Sequence, residues 1–208
     1  TQGVSSAASD VYKRQIGVPY ARLPQLSVNY SEFSDTGFNI NVGSQYTNFM
    51  HPTAVHGDRL IVNPRISYNY LRAPGYFLVP SVSAHATYYN LNQVSNPAMT
   101  APSRLVPTLS LDSGLIFERS ANFFGRSAVQ TLEPRAFYTY TSYVQQNGGL
   151  YPNFDTTIAD LSYAMMFREN RFIGNDRIGD ANQLTLAMTS RYLESDGAER
   201  LRMAIAQR

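Results

Sequence analysis

The sequence predicts an all-β fold, and within that class an antiparallel transmembrane β-barrel. Three observations carry the prediction. Apolar and polar residues alternate with a period of two from Leu23 onward, as they do on strands with one apolar and one polar face. Several of these segments run ten residues or more, whereas strands of globular sheets average about five or six and a tilted membrane-crossing strand needs about 9–11. The polar face is built from Asn, Gln, Ser, Thr and Arg, with Lys13 the single lysine of the chain. A soluble sandwich would place Lys, Glu and Asp there, whereas a hydrated lumen accepts the uncharged set.

Residues 1–15, TQGVSSAASDVYKRQ, lack the apolar core of a signal peptide. They read as a disordered or artefactual leader resembling translated adaptor sequence, and the barrel domain is taken as 16–208. Eight meandering strands are expected at about 21–33, 37–49, 58–72, 76–91, 103–118, 127–143, 182–193 and 198–207. In the second, Phe38, Ile40, Val42 and Tyr46 alternate with Asn39, Asn41, Gly43 and Gln45. In the third, Leu60, Val62, Ile66, Tyr68 and Tyr70 oppose Asn63, Arg65, Ser67 and Asn69. The seventh sets Leu184, Leu186, Met188 and Tyr192 against Gln183, Thr185, Thr189 and Arg191, and the eighth sets Leu201, Met203 and Ile205 against Arg200, Arg202 and Gln207. Tyrosines near strand ends (Tyr30, Tyr46, Tyr70, Tyr88, Tyr140, Tyr192) suit an interfacial girdle. Links vary from tight, as at Ala73-Pro74-Gly75, to the long stretch from Val144 to Ala181.

Five prolines interrupt the pattern. Pro24, Pro64, Pro80, Pro107 and Pro134 fall inside strands or at their starts, and each removes a ladder donor. Singly, each is explained by a rim position where water satisfies the partner. Together they suggest a locally weakened wall.

The remaining composition narrows the function. A net charge of +2 leaves no basic footprint of a nucleic-acid binder. There is no cysteine in the chain, so it holds no disulfide and no thiolate metal site. No apolar run approaches the roughly 18 residues of a spanning helix. His51 and His56 share a turn without carboxylate or cysteine company, and His85 alternates with Ser83 and Thr87 on a polar face. Asp155 and Asp160 read as solvated loop carboxylates. No nucleophile elbow, phosphate loop or zinc signature occurs, so neither enzymatic activity nor a cofactor is expected.

Charge is concentrated in one place. Of the fourteen residues Phe167 to Asp180, six are charged: Arg168, Glu169, Arg171, Asp176, Arg177 and Asp180. The balanced signs favour a salt-bridge network within a loop folded over a barrel mouth. The alternative is arginine contact with lipid phosphates or sugar carboxylates, for which the guanidinium fork is suited.

LEPRAFYTY at 132–140, FDT at 154–156, FRENRFIGNDRIGDANQLTLAMTSRYL from Phe167 to Leu193, and GAERLRMAIAQ at 197–207 follow one another in order. With RLPQLSVNY at 22–30, this series resembles the β-barrel of the LPS-assembly outer-membrane protein LptD (organic-solvent-tolerance) family. The resemblance implies insertion of lipopolysaccharide into the outer leaflet by a very large barrel, opened laterally between its first and last strands. It also implies a periplasmic jellyroll joined to bridge components, a plug formed by the lipoprotein LptE, and residence among the lipids of the outer membrane. On that resemblance the chain is an incomplete wall of eight strands from the middle of the barrel, without jellyroll, stapling cysteines or closing strand. The rival functions are a general porin or receptor barrel and a soluble carbohydrate-binding sandwich; a barrel hydrolase would need catalytic residues from outside the segment.

Overall fold

The computed structural model describes residues 19–73, 75–95, 97–146 and 149–208; the 1–15 leader lies outside them. Twelve strands follow in chain order: β1 (Ala21–Phe33), β2 (Phe38–Met50), β3 (His56–Tyr68), β4 (Leu71–Ala73), β5 (Tyr76–Asn92), β6 (Ser103–Leu115), β7 (Phe117–Phe123), β8 (Arg126–Thr141), β9 (Thr157–Ile158), β10 (Phe172–Ile173), β11 (Ala181–Glu194) and β12 (Glu199–Gln207). Among the described residues helix is confined to two single 3₁₀ turns, Pro97–Met99 and Ala164–Phe167. No helix among the described residues is long and apolar enough to cross a membrane.

Ten of the strands form one antiparallel sheet, ordered β1-β2-β3-β5-β6-β8-β11-β12, with β4 beside β5 and β7 beside β8. Each long strand therefore pairs with its sequence neighbours, and no connection crosses the sheet. The sheet is open: β1 pairs only with β2, and β12 only with β11. The eight expected segments match the eight long strands, with two differences. The third ends at Tyr68 and resumes as β4. The fifth stops at Leu115, where the Ile116 N–H turns to the Gly75 carbonyl at 2.6 Å, and then resumes as β7. Strand β7 escaped the sequence reading because Glu118 to Asn122 contains no bulky apolar residue.

Register places the alternation on two faces. On the outer face Ile40 stands opposite Ile66 and Tyr46 opposite Leu60; farther along, Leu109 meets Tyr140 and Met188 meets Ile205. These side chains are exposed or half-buried, and with Leu26, Val28, Val82, Leu105, Leu111, Leu184 and Leu186 they make a continuous apolar surface. The inner face carries Thr47, Arg59, Ser81, Thr87, Arg104, Thr108, Ser110, Thr139, Thr185 and Thr189, all buried. A sheet with its polar face buried and its apolar face bare inverts the usual arrangement in water. The polar face is covered by the chain itself.

The links alternate in length around the sheet. At one end they are short: 34–37, 74–75, 124–125 and 195–198. At the other they are 51–55, 93–102 and 142–180. The last, which contains β9 and β10, does the covering.

Each of the five prolines sits at an interruption of a ladder. Pro24, joined to Leu23 by a cis peptide, lies in the register shift between Arg22 and Gln25. The β3–β5 ladder skips Asn63 and Pro64. It ends at Ser67–Ser81, one step before Pro80. The β6–β8 ladder begins with Thr108, one step past Pro107, and Pro134 falls between the last pair of β6–β8 and the first of β7–β8. Toward their other neighbours Pro64, Pro80, Pro107 and Pro134 remain in register with Val42, Leu111, Ala84 and Met188. A proline cannot give the N–H that a ladder bridge needs, so each of these interruptions falls beside one.

Candidate functional site: a charged loop docked on the inner face

The loop 142–180 folds back along the inner face, and three of its acids, Asp155, Glu169 and Asp176, reach arginines on β3. Asp176 is fully buried. One of its oxygens, Oδ1, accepts from Arg59 Nη1 at 2.7 Å and from the Tyr89 hydroxyl at 2.8 Å. The other, Oδ2, accepts the backbone N–H groups of Phe154 and Asp155 at 2.7 and 2.9 Å. Four donors leave no oxygen bare, the condition under which a buried carboxylate is tolerated. Arg59, 1% exposed, also forks Asp155, with Nη1 to Oδ1 at 2.9 Å and Nη2 to Oδ2 at 2.6 Å. Its guanidinium carbon lies 4.8 Å from the Phe49 ring centre, and Phe49 stacks on Phe154 at 4.2 Å. Phe49, Tyr89, Leu91 and Phe154 form the apolar core at the long-link end of the sheet. Arg104 completes the anchor by donating to the carbonyls of Asp176 and Asn175 at 2.6 and 2.8 Å.

The loop is shaped to present this carboxylate. The short ladder of β9 and β10 pairs Ile158 with Phe172 and Thr157 with Ile173. Thr156 Oγ1 accepts the N–H groups of Asp176 and Arg177, and Asn170 Oδ1 accepts those of Phe172 and Gly179. Gly174 has φ +88, and a Cβ there would stand 2.3 Å from the Asp155 carbonyl oxygen. Only glycine fits this passage between the two acids.

A second contact lies deeper along the strands. Glu169 accepts from Arg65 Nη1 at 2.7 Å, from the Ser110 hydroxyl at 2.6 Å and from the Ser83 hydroxyl at 3.4 Å. Beside it Phe167 covers the Arg135 guanidinium at 4.0 Å, the Met166 carbonyl accepts from Thr185 at 2.7 Å, and the Tyr163 hydroxyl meets Thr189 at 3.0 Å. Below the loop the inner face carries its own pairs, Asp112 with Arg135 and Glu133 with Arg191.

Of the six charges expected to pair within the loop, the two acids Glu169 and Asp176 bind strand β3. The physical reason is burial. A carboxylate facing the inner wall meets preplaced arginines on β3, whereas pairs along the loop would remain in water, where they contribute little. Arg171 and Arg177 are exposed and flank the Phe172 ring at 5.1 and 5.8 Å. Arg168 is exposed, with Nη1 3.6 Å from Met165 Sδ, and Asp180 is exposed. Asp155, read from sequence as a solvated loop carboxylate, is instead half of the Arg59 clamp; Asp160 is exposed. Burial works to raise the Asp155 carboxyl, but hydrogen bonds from Arg59 and the Asn175 N–H hold it down at about 2. Burial pushes the Asp176 carboxyl above its ordinary value, against the pull of Arg59.

The histidines serve local structure. His51 Nδ1 accepts the N–H groups of Thr53 and Ala54, His56 Nδ1 lies 3.1 Å from the Ala54 carbonyl, and His85 Nδ1 lies 3.0 Å from the Thr87 hydroxyl. Among the described residues no group of acids and histidines could hold a metal.

Comparison with known proteins fixes the family. The model of the family described as LptD, LPS transport system D, matches residues 11–208. The chain belongs to the LptD family. An LPS-assembly protein LptD of Burkholderia cenocepacia (strain HI2424) is 44% identical over 195 residues, which is 91% of this chain and 24% of that protein. That of Burkholderia pseudomallei (strain K96243) is 45% identical over the same shares, and that of Nitrosospira multiformis (strain ATCC 25196) is 46% identical over 193 residues, 91% of this chain and 20% of the relative. The chain therefore spans between a fifth and a quarter of the length of these curated relatives. LptD membership agrees with the resemblance read from the FRENRF…DANQ block, the same block that supplies Glu169 and Asp176. The LptD description is one of transport, not of catalysis.

Proposed function

We propose that this sheet is a section of a transmembrane barrel wall in the outer membrane, and that it serves lipopolysaccharide assembly by lining a polar passage narrowed by the docked loop. The observation that carries the reading is the inverted sheet: a continuous apolar face is bare while the polar face is covered by the chain's own loop. Lipid is the solvent that accepts such a face. Strands of 13 to 17 residues in β1, β2, β3, β5, β6, β8 and β11 exceed the length a bilayer needs. Tyr30, Tyr70 and Tyr76 are exposed toward the short-link end, and Tyr88 and Tyr140 toward the long-link end, as two interfacial girdles would require. Barrels of this type keep short turns in the periplasm and long loops outside. The loop 142–180 then enters from the cell exterior. Within the longer protein, strands beyond β1 and β12 continue the wall, and LptE, bridge components joined through a jellyroll, lipopolysaccharide and outer-membrane lipids are its partners. In this scheme sugars traverse the Ser/Thr/Asn-lined interior while acyl chains reach the bilayer, and lipopolysaccharide is delivered to the outer leaflet.

Adjacent residues of β2 test the reading. In the full-length protein reconstituted with brominated phospholipid, fluorescence from Ile40→Trp should be quenched and that from Asn41→Trp should not. Equal quenching of both, or recovery of the protein in the soluble periplasmic fraction, would reject the membrane wall in favour of a periplasmic sheet.

A further inference from the structure

The proline positions and one cavity coincide. Strand β5 has a fixed hydrogen-bond phase: the N–H groups of Tyr89 and Leu91 donate to the carbonyls of Pro102 and Thr100, on the β6 side. Odd-numbered backbone groups of β5 thus face β6, and even-numbered groups face β3; the Tyr70 N–H bonded to the Leu78 carbonyl fits the same phase. Ala84 consequently aims its carbonyl at Pro64, which has no N–H to give. The ladder lacks a bridge there, with its register unchanged from Val62–Ala86 on one side to Arg65–Ser83 on the other. On the far side of β5, Ala84 stands in register with Pro107. One row across three strands therefore reads Pro64, Ala84, Pro107.

Directly behind this row lies a cavity of about 310 Å³. Its walls include the inner-facing Asn41, Asn63, Ser83 and Thr108, but also Pro64 and Ala84, whose side chains belong to the outer face. The cavity thus reaches the backbone of this row. Asn63 Oδ1, at its margin, is buried without a hydrogen-bond partner among the protein groups. A carbonyl facing no donor and an unpartnered amide oxygen, beside space larger than a water molecule needs into which Asn41, Ser83 and Thr108 also face, are the conditions under which buried water binds.

We propose that the wall carries a hydrated seam between β3 and β5 at Asn63–Pro64 and Ala84–His85, in which ordered water entering from the inner face replaces the missing proline donor. The seam is the place where these two strands separate first, while the anchor at Arg59 and Asp176 holds the end of the sheet beyond it. The inference does not depend on what the outer face meets, so it survives or fails independently of the membrane reading.

Hydrogen exchange on the full-length protein in detergent, resolved to single amides, decides it. The Ala84 amide should exchange at least tenfold faster than that of Val82 or Ala86 on the same strand, which face β3 where the ladder is intact. Pro64→Ala restores a donor opposite the Ala84 carbonyl and should slow Ala84 at least threefold while leaving Leu109 and Tyr140 unchanged. A native Ala84 amide as protected as its neighbours would overturn the seam without any variant, and so would a folded Pro64→Ala protein in which exchange at Ala84 is unaltered.

Discussion

Arg59 and Asp176 stand 117 positions apart and meet at 2.7 Å, one on strand β3 and the other in the loop, with neither more than 1% exposed. Neither has water to fall back on. A buried pair of this kind adds little net stability over a well-packed apolar pair, but removing one partner strands the other and costs about 3–5 kcal/mol. Arg59→Leu leaves Asp155 and Asp176 side by side without their shared cation. It is expected to release the loop 142–180, read as rapid protease cleavage within that loop while the sheet itself resists heat. Asp155→Asn keeps the shape and removes only the more exposed of the two charges, so its loop should be cut more slowly than that of Arg59→Leu. Equal resistance in both variants and the parent would show that the clamp does not hold the loop.

The acid response of this clamp follows from Asp155. Its carboxyl lies below the usual carboxylate value, at about 2, so its stabilising contribution is complete above the unfolded value near 4 and is lost as pH falls from about 4 toward 2. Asp176 is shifted upward and opposes this, because its ionised form is the one that burial disfavours. Loop protection against an acid-active protease should therefore hold at pH 5 and decline below pH 4. In Asp155→Asn the decline below pH 4 should be shallower, since the group that titrates there is gone.

Gly174 tests the loop's shape independently of charge. At φ +88, with the Asp155 carbonyl 2.3 Å from the place a Cβ would occupy, Gly174→Ala must displace the backbone that carries one of the acids. Strain of this kind costs about 1–3 kcal/mol before the clash is counted. The expected phenotype is that of the Arg59 variant, loop cleavage with an intact sheet. Gly125 and Gly197 also have positive φ, but their surroundings are open, so alanine there should cost conformational strain alone and leave the loop protected.

How much of this was legible in the sequence depends on the length scale of the signal. The eight long strands were readable because two-residue alternation is local: Phe38, Ile40 and Val42 declare a face without reference to any other segment. That some links are tight, as at Ala73-Pro74-Gly75, and that from Val144 to Ala181 long was readable too, from turn residues and the loss of alternation. What the inner face meets was not. The charges between Arg168 and Asp180 suggested pairing among themselves, because nearness in sequence is the only proximity a sequence displays. The actual partners, Arg59 and Arg65, lie 117 and 104 positions away. The available signal was parity: Arg59 falls on the same face as Asn63, Arg65 and Ser67, so the wall already held cations awaiting acids. Asp155 was passed over because a carboxylate in a loop is usually solvated, and only the tertiary position of FDT shows otherwise.

Glu169 should behave differently from Asp176. It is partly exposed, as is its partner Arg65, so the ion pair contributes about 1 kcal/mol or less. Two serine hydroxyls share the carboxylate. Glu169→Gln is expected to loosen the deep contact around Phe167 while the anchor at Asp176 remains closed. Exchange should rise at the Met166 to Asn170 amides and stay unchanged at Asp176, whose N–H bonds Thr156. A uniform rise across the loop would mean that the two contacts open as one.

The outer face yields the sharpest stability contrast. Leu109 is half exposed on β6 and Thr108, its neighbour, is buried on the inner face. If lipid covers Leu109, then Leu109→Arg near the middle of the strand costs about 2–4 kcal/mol, the penalty for arginine at a bilayer midplane. In water the same change at an exposed site would fall within about 0.5 kcal/mol. Urea titration of the full-length protein in lipid vesicles separates the two, because the unfolding midpoint should drop strongly for Leu109→Arg and hardly at all for Ser44→Thr on the same outer face. An unshifted midpoint for Leu109→Arg would place that surface in water and return the chain to a sheet that some other protein surface must cover.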